Sequence, residues 1–174
     1  MKKWSILMML LLGGVLLFQS CDDDDDNDSA VMDRRTFVTQ ASSSNTLEIQ
    51  AGQQAQQKGA AAAVRAYGEL MVTEHTATGN ELADLASQKS LTVSTQLLAP
   101  HQQQLGVLTP LTGDAFDDAF ADLMVASHQE AVNLFDQASQ QVDDQDLRAW
   151  AAAKLPALRT HLQGAQALKA AVNP

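Results

Sequence analysis

Between Asp33 and Ala170 the apolar residues recur every three or four positions through four long runs, with no strand-like alternation anywhere. That pattern restricts the chain to amphipathic helices that bury one stripe against each other. The only cysteine, Cys21, precedes these runs. Neither a disulfide nor a thiolate metal site can therefore hold them together, and stability has to come from a packed core. Roughly 140 residues are enough for one such domain.

The boundaries follow from local chemistry. Asp33 is an N-cap candidate for a first helix reaching about Gln57, with Phe37, Ala41, Ser44, Glu48, Ala51 or Gly52, and Ala55 on one face. Gly59 marks a break. A second helix, from about Ala60 to Ser87, faces inward with Val64, Tyr67, Met71, His75, Thr78, Leu82 and Leu85. Lys89 to Leu98 reads as a loop, and Pro100 opens a short helix over His101 to Thr109. Asp114 and Asp117 have the spacing of a capping box at the start of a third long helix, which continues to about Gln141. Its inward face is Phe116, Phe120, Met124, Ser127, Ala131, Phe135 and Ala138. A fourth, from about Asp144 to Ala170, carries Leu147, Trp150, Ala151, Leu158, His161, Ala165 and Leu168, with a kink expected at Pro156. The predicted fold is all-α: a four-helix bundle with a short extra helix between the second and third long ones.

One short phrase occurs twice. Met71-Val72-Thr73-Glu74-His75 and Met124-Val125-Ala126-Ser127-His128 share Met-Val-x-x-His, one copy in each of two helices. Each copy stacks Met and His one turn apart on one side of its helix. His161 lies near the stripe of the last helix. Glu48, near the middle of the first helix's apolar face, is out of character there, because carboxylates are rarely buried unless paired or bound to metal. One reading is a mixed nitrogen and oxygen site for copper, iron or zinc, with Glu48, His75, His128 and His161 as ligands. Glu74 and Asp117 could assist as further ligands or as acceptors for ring N–H groups, and Met71 and Met124 as thioether donors. The other reading makes the histidines core or rim residues, Glu48 a hydrogen-bonded or ion-paired carboxylate, both methionines core filling, and Asp117 a helix cap. His101, in a Gln-rich connector, reads as a surface residue.

Oxygen-activating di-iron bundles carry Glu-x-x-His on two helices. Here Val72, Val125 and Leu158 stand three residues before the histidines, which argues against that chemistry. There is no phosphate-cradling glycine loop, no nucleophile elbow and no cysteine nucleophile in the fold, so nothing points to an enzyme.

Residues 1–20 read as a secretory signal: Lys2 and Lys3, an apolar run from Ile6 to Phe18, then a small residue at Ser20. Cys21 directly after it resembles the lipidated cysteine of a bacterial lipobox; an ordinary signal peptide with a free thiol is the alternative. Residues 21–30 form an acidic tether dominated by Asp22 to Asp26 and Asp28. Such a stretch is similar to a surface-export signal of some Gram-negative lineages, or is a plain spacer. Residues 31–174 make the helical domain. The formal charge of −10 falls to near −12 once the two leader lysines are gone. That balance disfavours nucleic acid and direct adhesion to anionic lipid.

The segments Phe37-Val38, Leu47-Glu48-Ile49, Met71-Val72-x-Glu74-His75, Phe116-Asp117-x-x-Phe120, Met124-Val125-x-x-His128 and Leu155-Pro156-x-Leu158-x-x-His161-Leu162 together resemble a bacterial exported-protein family, domain of unknown function 4142. Its members are often described as outer-membrane proteins. The resemblance spans about residues 33 to 170 and implies a ferritin-like helical bundle without an established activity. The sequence thus leads to a lipid-anchored protein of the cell envelope, at the outer membrane's periplasmic or surface face. It would serve as a non-enzymatic binding or structural module for an envelope partner or small ligand. The alternative is metal binding for buffering, storage or redox protection.

Overall fold

The computed structural model describes residues 31–173; the expected signal and the whole of the tether, Cys21 included, fall outside the described residues. The apolar stripes form helices α1 (Arg34–Lys58), α2 (Ala62–Gln88), α4 (Gly113–Gln141) and α5 (Gln145–Val172), with a short α3 (Ala99–Leu108) in the long connection. The chain is all-α, as its periodicity requires. Among the described residues no helix is long and apolar enough to cross a membrane.

Local chemistry sets the ends. The Asp33 carboxylate accepts the Thr36 N–H at 2.9 Å, and Asp144 accepts those of Asp146 and Leu147 at 3.0 Å each, as N-caps do. The expected Asp114–Asp117 capping box is absent: Thr112 is the N-cap of α4 and makes no side-chain bond. Asp117 faces the interior instead, beside the α1–α2 turn. There it accepts the N–H groups of Ala60 and Ala61 at 3.0 and 2.7 Å. Ala61, the N-cap of α2, has no side chain able to do this. A carboxylate from a different helix therefore caps α2. Pro156 lies inside α5, which continues through it.

These contacts fix the topology. The start of α4 lies against the end of α1, so α4 runs antiparallel to α1 and parallel to α2. At the other end, Met32 bonds to Gln141 and Asp143 through the backbone, and Lys89 pairs with Asp144 and Asp146 at 2.9 and 2.7 Å. The connection from α2 to α4 must then travel the length of the bundle, joining two helical hairpins in the ferritin-like manner. His101, expected at the surface, is buried on this connection. Its Nδ1 lies 2.6 Å from Ser43 Oγ on α1, and Ser43 Oγ also accepts the Leu98 N–H at 2.8 Å. The crossing segment thus buries a residue whose immediate neighbours in sequence are all polar or turn-forming.

The first hairpin closes on glycine. A Cβ on Gly68 would stand 2.7 Å from both the Ala55 Cβ and the Gly52 carbonyl; one on Gly52 would stand 2.6 Å from the Gly68 carbonyl. The two backbones touch here, and the close approach brings the inward face of α1 against α2. Gly68→Ala is therefore expected to lose about 2 kcal/mol in urea unfolding, overpacking outweighing the gain of about 1 kcal/mol in helix propensity. A stabilised variant would show that the helices separate easily at this point.

Two apolar clusters fill the interior. One contains Leu47, Tyr67, Met71, Phe116, Phe120 and Met124; the other contains Phe37, Leu82, Phe135, Leu147 and Leu158. Between them lies a layer of polar side chains.

Candidate metal centre

The polar layer takes one histidine from each of three helices. His75 on α2, His128 on α4 and His161 on α5 have ring centroids 5.4 to 5.6 Å apart, and each offers a ligand nitrogen within 4.8 Å of the others. The two copies of Met-Val-x-x-His supply the first two. His128 is fully buried, His75 nearly so, and His161 half-buried. On an ideal helical wheel His75 and His128 fall at the stripe edge. In the folded bundle that edge is turned inward on both helices.

Two of the rings have fixed tautomers. His128 Nδ1 lies 2.8 Å from the Met124 carbonyl, which can only accept, so Nδ1 carries the hydrogen. His75 Nδ1 donates to Asn45 Oδ1 at 3.1 Å on the same reasoning. In each neutral ring the lone pair is then on Nε2. Neither Nε2 has a partner, nor has His161 Nδ1, although all three atoms are buried. Buried polar atoms in native proteins are nearly always paired, so three orphans in one layer need a physical reason.

Burial sets the charges. It pulls His128 down to about 4, and holds His75 well below the ordinary histidine range, with His128 and His161 adding to the effect. His161 is lowered by burial and by His128, with Glu74 opposing. All three rings are neutral at pH 7, the form that binds metal.

Glu48 is fully buried on α1. Its Oε1 lies 3.6 Å from His128 Nδ1, and it stands outside the close group that the three histidines form. Burial pushes its carboxyl up to about 8; the Ser127 hydroxyl opposes this and Glu130 adds to it. Neither oxygen has a hydrogen bond of normal geometry. Close as they are, Glu48 and His128 are a neutral acid beside a neutral ring at pH 7 rather than an ion pair. The structure therefore brings His75, His128 and His161 together and sets Glu48 behind one of them.

The remaining candidates lie elsewhere. Glu74 is exposed, at the edge of a cavity beside His75 and His161. Asp117 is occupied in capping α2. Met71 and Met124 pack in the apolar cluster, and Met124 contributes its carbonyl to His128. Sequence reasoning missed Asn45. It stands one turn before Glu48 on the same side of α1, and that spacing was the available signal. Tyr67 was read as core only. Its hydroxyl also donates to the His161 carbonyl at 2.7 Å, tying α2 to α5 beside the cluster.

The donor set can be judged against an ion. Tetrahedral zinc, with bonds of about 2.1 Å, sets its ligand nitrogens about 3.4 Å apart, so the three rings would close by roughly 1 Å. Three imidazoles without a carboxylate or thiolate suit late first-row ions such as zinc and copper, and do not suit calcium or magnesium. The tautomers fixed by Asn45 and Met124 are the outer arrangement that metal-bound histidines generally show.

No curated protein and no solved structure matches the chain. A family model does match, over residues 21–168, which takes in nearly the whole bundle. The chain belongs to the family described as domain of unknown function (DUF4142).

Proposed function

We propose that this bundle binds one late first-row divalent metal ion, zinc or copper, through His75, His128 and His161, and serves in metal buffering at the cell envelope. The observation that carries the reading is a cluster of three histidines with ligand nitrogens within 4.8 Å of one another, an unpaired buried nitrogen on each ring, and two tautomers set by acceptors behind the rings. A purely structural layer would pair those atoms with each other or with neighbouring side chains, because an unpaired buried polar atom costs about 1–3 kcal/mol. An ion uses all three lone pairs at once. Glu48 belongs to this reading as the buried carboxyl 3.6 Å from His128 Nδ1, close enough to respond to the charge a metal would place on that ring. Attachment to the membrane would come from a lipidated Cys21, with the aspartate run holding the bundle clear of the surface.

The test is elemental analysis of the protein from Ser29 onward, purified without a His-tag or chelator, followed by zinc and copper titration. Trp150 borders the cavity next to the cluster and is the only tryptophan after Trp4, so copper uptake can be followed by quenching of its emission. About one ion per chain, bound with a Kd below roughly 1 μM, is expected. No binding in that range would return the layer to a packing role.

A further inference from the structure

Three imidazoles leave a metal ion short of a full shell, and one side of the cluster borders a cavity. His128 is fully buried with Glu48 behind it, so that side of the cluster is closed. On the side of His75 and His161 there is a cavity of about 110 Å³. Leu82, Phe135 and Leu158 give it apolar walls, and Ala157 and Lys154 stand at its border.

Apart from the neutral oxygens of Ser44, Asn45 and Thr78, which are weak ligands for zinc or copper, the cavity lining offers only the carboxylates of Glu74 and Glu81 as further donors. The only group of close potential ligands among the described residues is the three histidines. Glu81 also borders the cavity, but it pairs with Lys154 and accepts the Trp150 Nε1–H at 3.2 Å. Glu74 is exposed and outside the histidine group. Three neutral rings bring no negative charge, so a divalent ion would keep its double charge in a buried layer between two apolar clusters. An anionic partner is strongly favoured in such surroundings. Since a water molecule occupies about 30 Å³ of liquid, the space suits a ligand of three to five heavy atoms. Three protein ligands with one open position is also the arrangement of reactive zinc sites, whereas sites that only hold a fold are closed.

We infer that the metal-loaded bundle takes one small anion, of the size of azide or formate, as an exchangeable fourth ligand that enters through this cavity. The inference rests on the metal reading above. Hydroxide derived from water belongs to the same ligand class, so the site is built as a Lewis-acid centre and not merely as a closed store.

The experiment uses cobalt- or copper-loaded protein of measured metal content, titrated with azide and followed by visible absorption. A saturable spectral change with a midpoint in the millimolar range or below is expected. Ala157→Phe fills the cavity border one turn before His161 on α5; compared with the parent at equal measured metal content, it is expected to weaken azide at least tenfold. Absence of metal uptake would bring down the metal reading and this inference together. Normal uptake with a spectrum indifferent to azide, and altered by Glu74→Gln, would assign the fourth position to Glu74 and overturn this inference alone. Equal azide affinity in Ala157→Phe would overturn the route.

Discussion

Metal-loaded protein is expected to melt about 8 °C above the metal-free form when free zinc stands near one hundred times its Kd, and His75→Ala/His128→Ala is expected to lose that entire gain. A ligand that binds only the folded state stabilises it by about 2.7 kcal/mol at that excess, and a domain of this size shifts by about 3 °C per kcal/mol. The double variant removes one nitrogen from each hairpin and leaves a single imidazole, too few for tight binding. It also empties space in the layer, so its metal-free form should melt below the parent. The informative quantity is therefore the difference between loaded and metal-free melting for each protein, measured by calorimetry with and without zinc. A variant that keeps its zinc-dependent shift would place the ion outside this cluster.

The second large effect is a stability maximum near pH 6.5 in the metal-free protein, with a decline on both sides. Glu48 has an ordinary pKa of 4.5 in the unfolded chain and one raised to about 8 when folded. Between those values the folded state holds a proton that the unfolded state has released, so stability falls as pH rises toward 8. The histidines act in the opposite sense. Unfolded, they titrate near 6.5; folded, His128 is held at about 4, and His75 and His161 are also lowered. Below pH 6.5 the unfolded chain therefore takes up protons that the folded rings refuse, and stability falls as pH drops. Three rings outweigh one carboxyl between pH 4.5 and 6.5, while above about pH 7 the unfolded rings have lost most of their protons and Glu48 dominates. Chemical unfolding of metal-free protein should show a net loss of about 0.5–1 kcal/mol between pH 6.5 and 8, and Glu48→Gln should abolish that loss and steepen the acidic limb, because the carboxyl no longer offsets the rings between pH 4.5 and 6.5. A flat alkaline limb in the parent would mean that Glu48 is already ionised in the native core.

The elements were legible because the stripes are long and regular. Asp33 behaves as the cap its position promises, and Phe37, Glu48 and Ala55 share the inward face that their spacing predicts. The repeated Met-Val-x-x-His phrase located two members of the candidate site, and Glu48 was identified by its misfit with an apolar face. What the sequence could not carry was the environment created by distant segments. His101 is polar in a polar neighbourhood, and only the path of the crossing connection buries it against Ser43. Asp117 has the spacing of a local cap, yet the unpaired N–H groups it meets belong to the α1–α2 turn. Whether Glu48 faces the centre of the cluster or the back of one ring depends on helix rotation, and the pattern of apolar residues fixes that only coarsely.

The three histidines are divided unequally between the two hairpins: His75 belongs to the first, His128 and His161 to the second. The first hairpin leans on the second mainly through α1 against α4, whereas α2 meets α4 and α5 only sparsely. A bound ion would therefore act as a clasp across the bundle's weakest seam. Pulled apart or warmed without that clasp, the chain would open first along α2, like a book with its spine between α1 and α4. The same ion that fills the pocket would then decide whether the two covers stay shut.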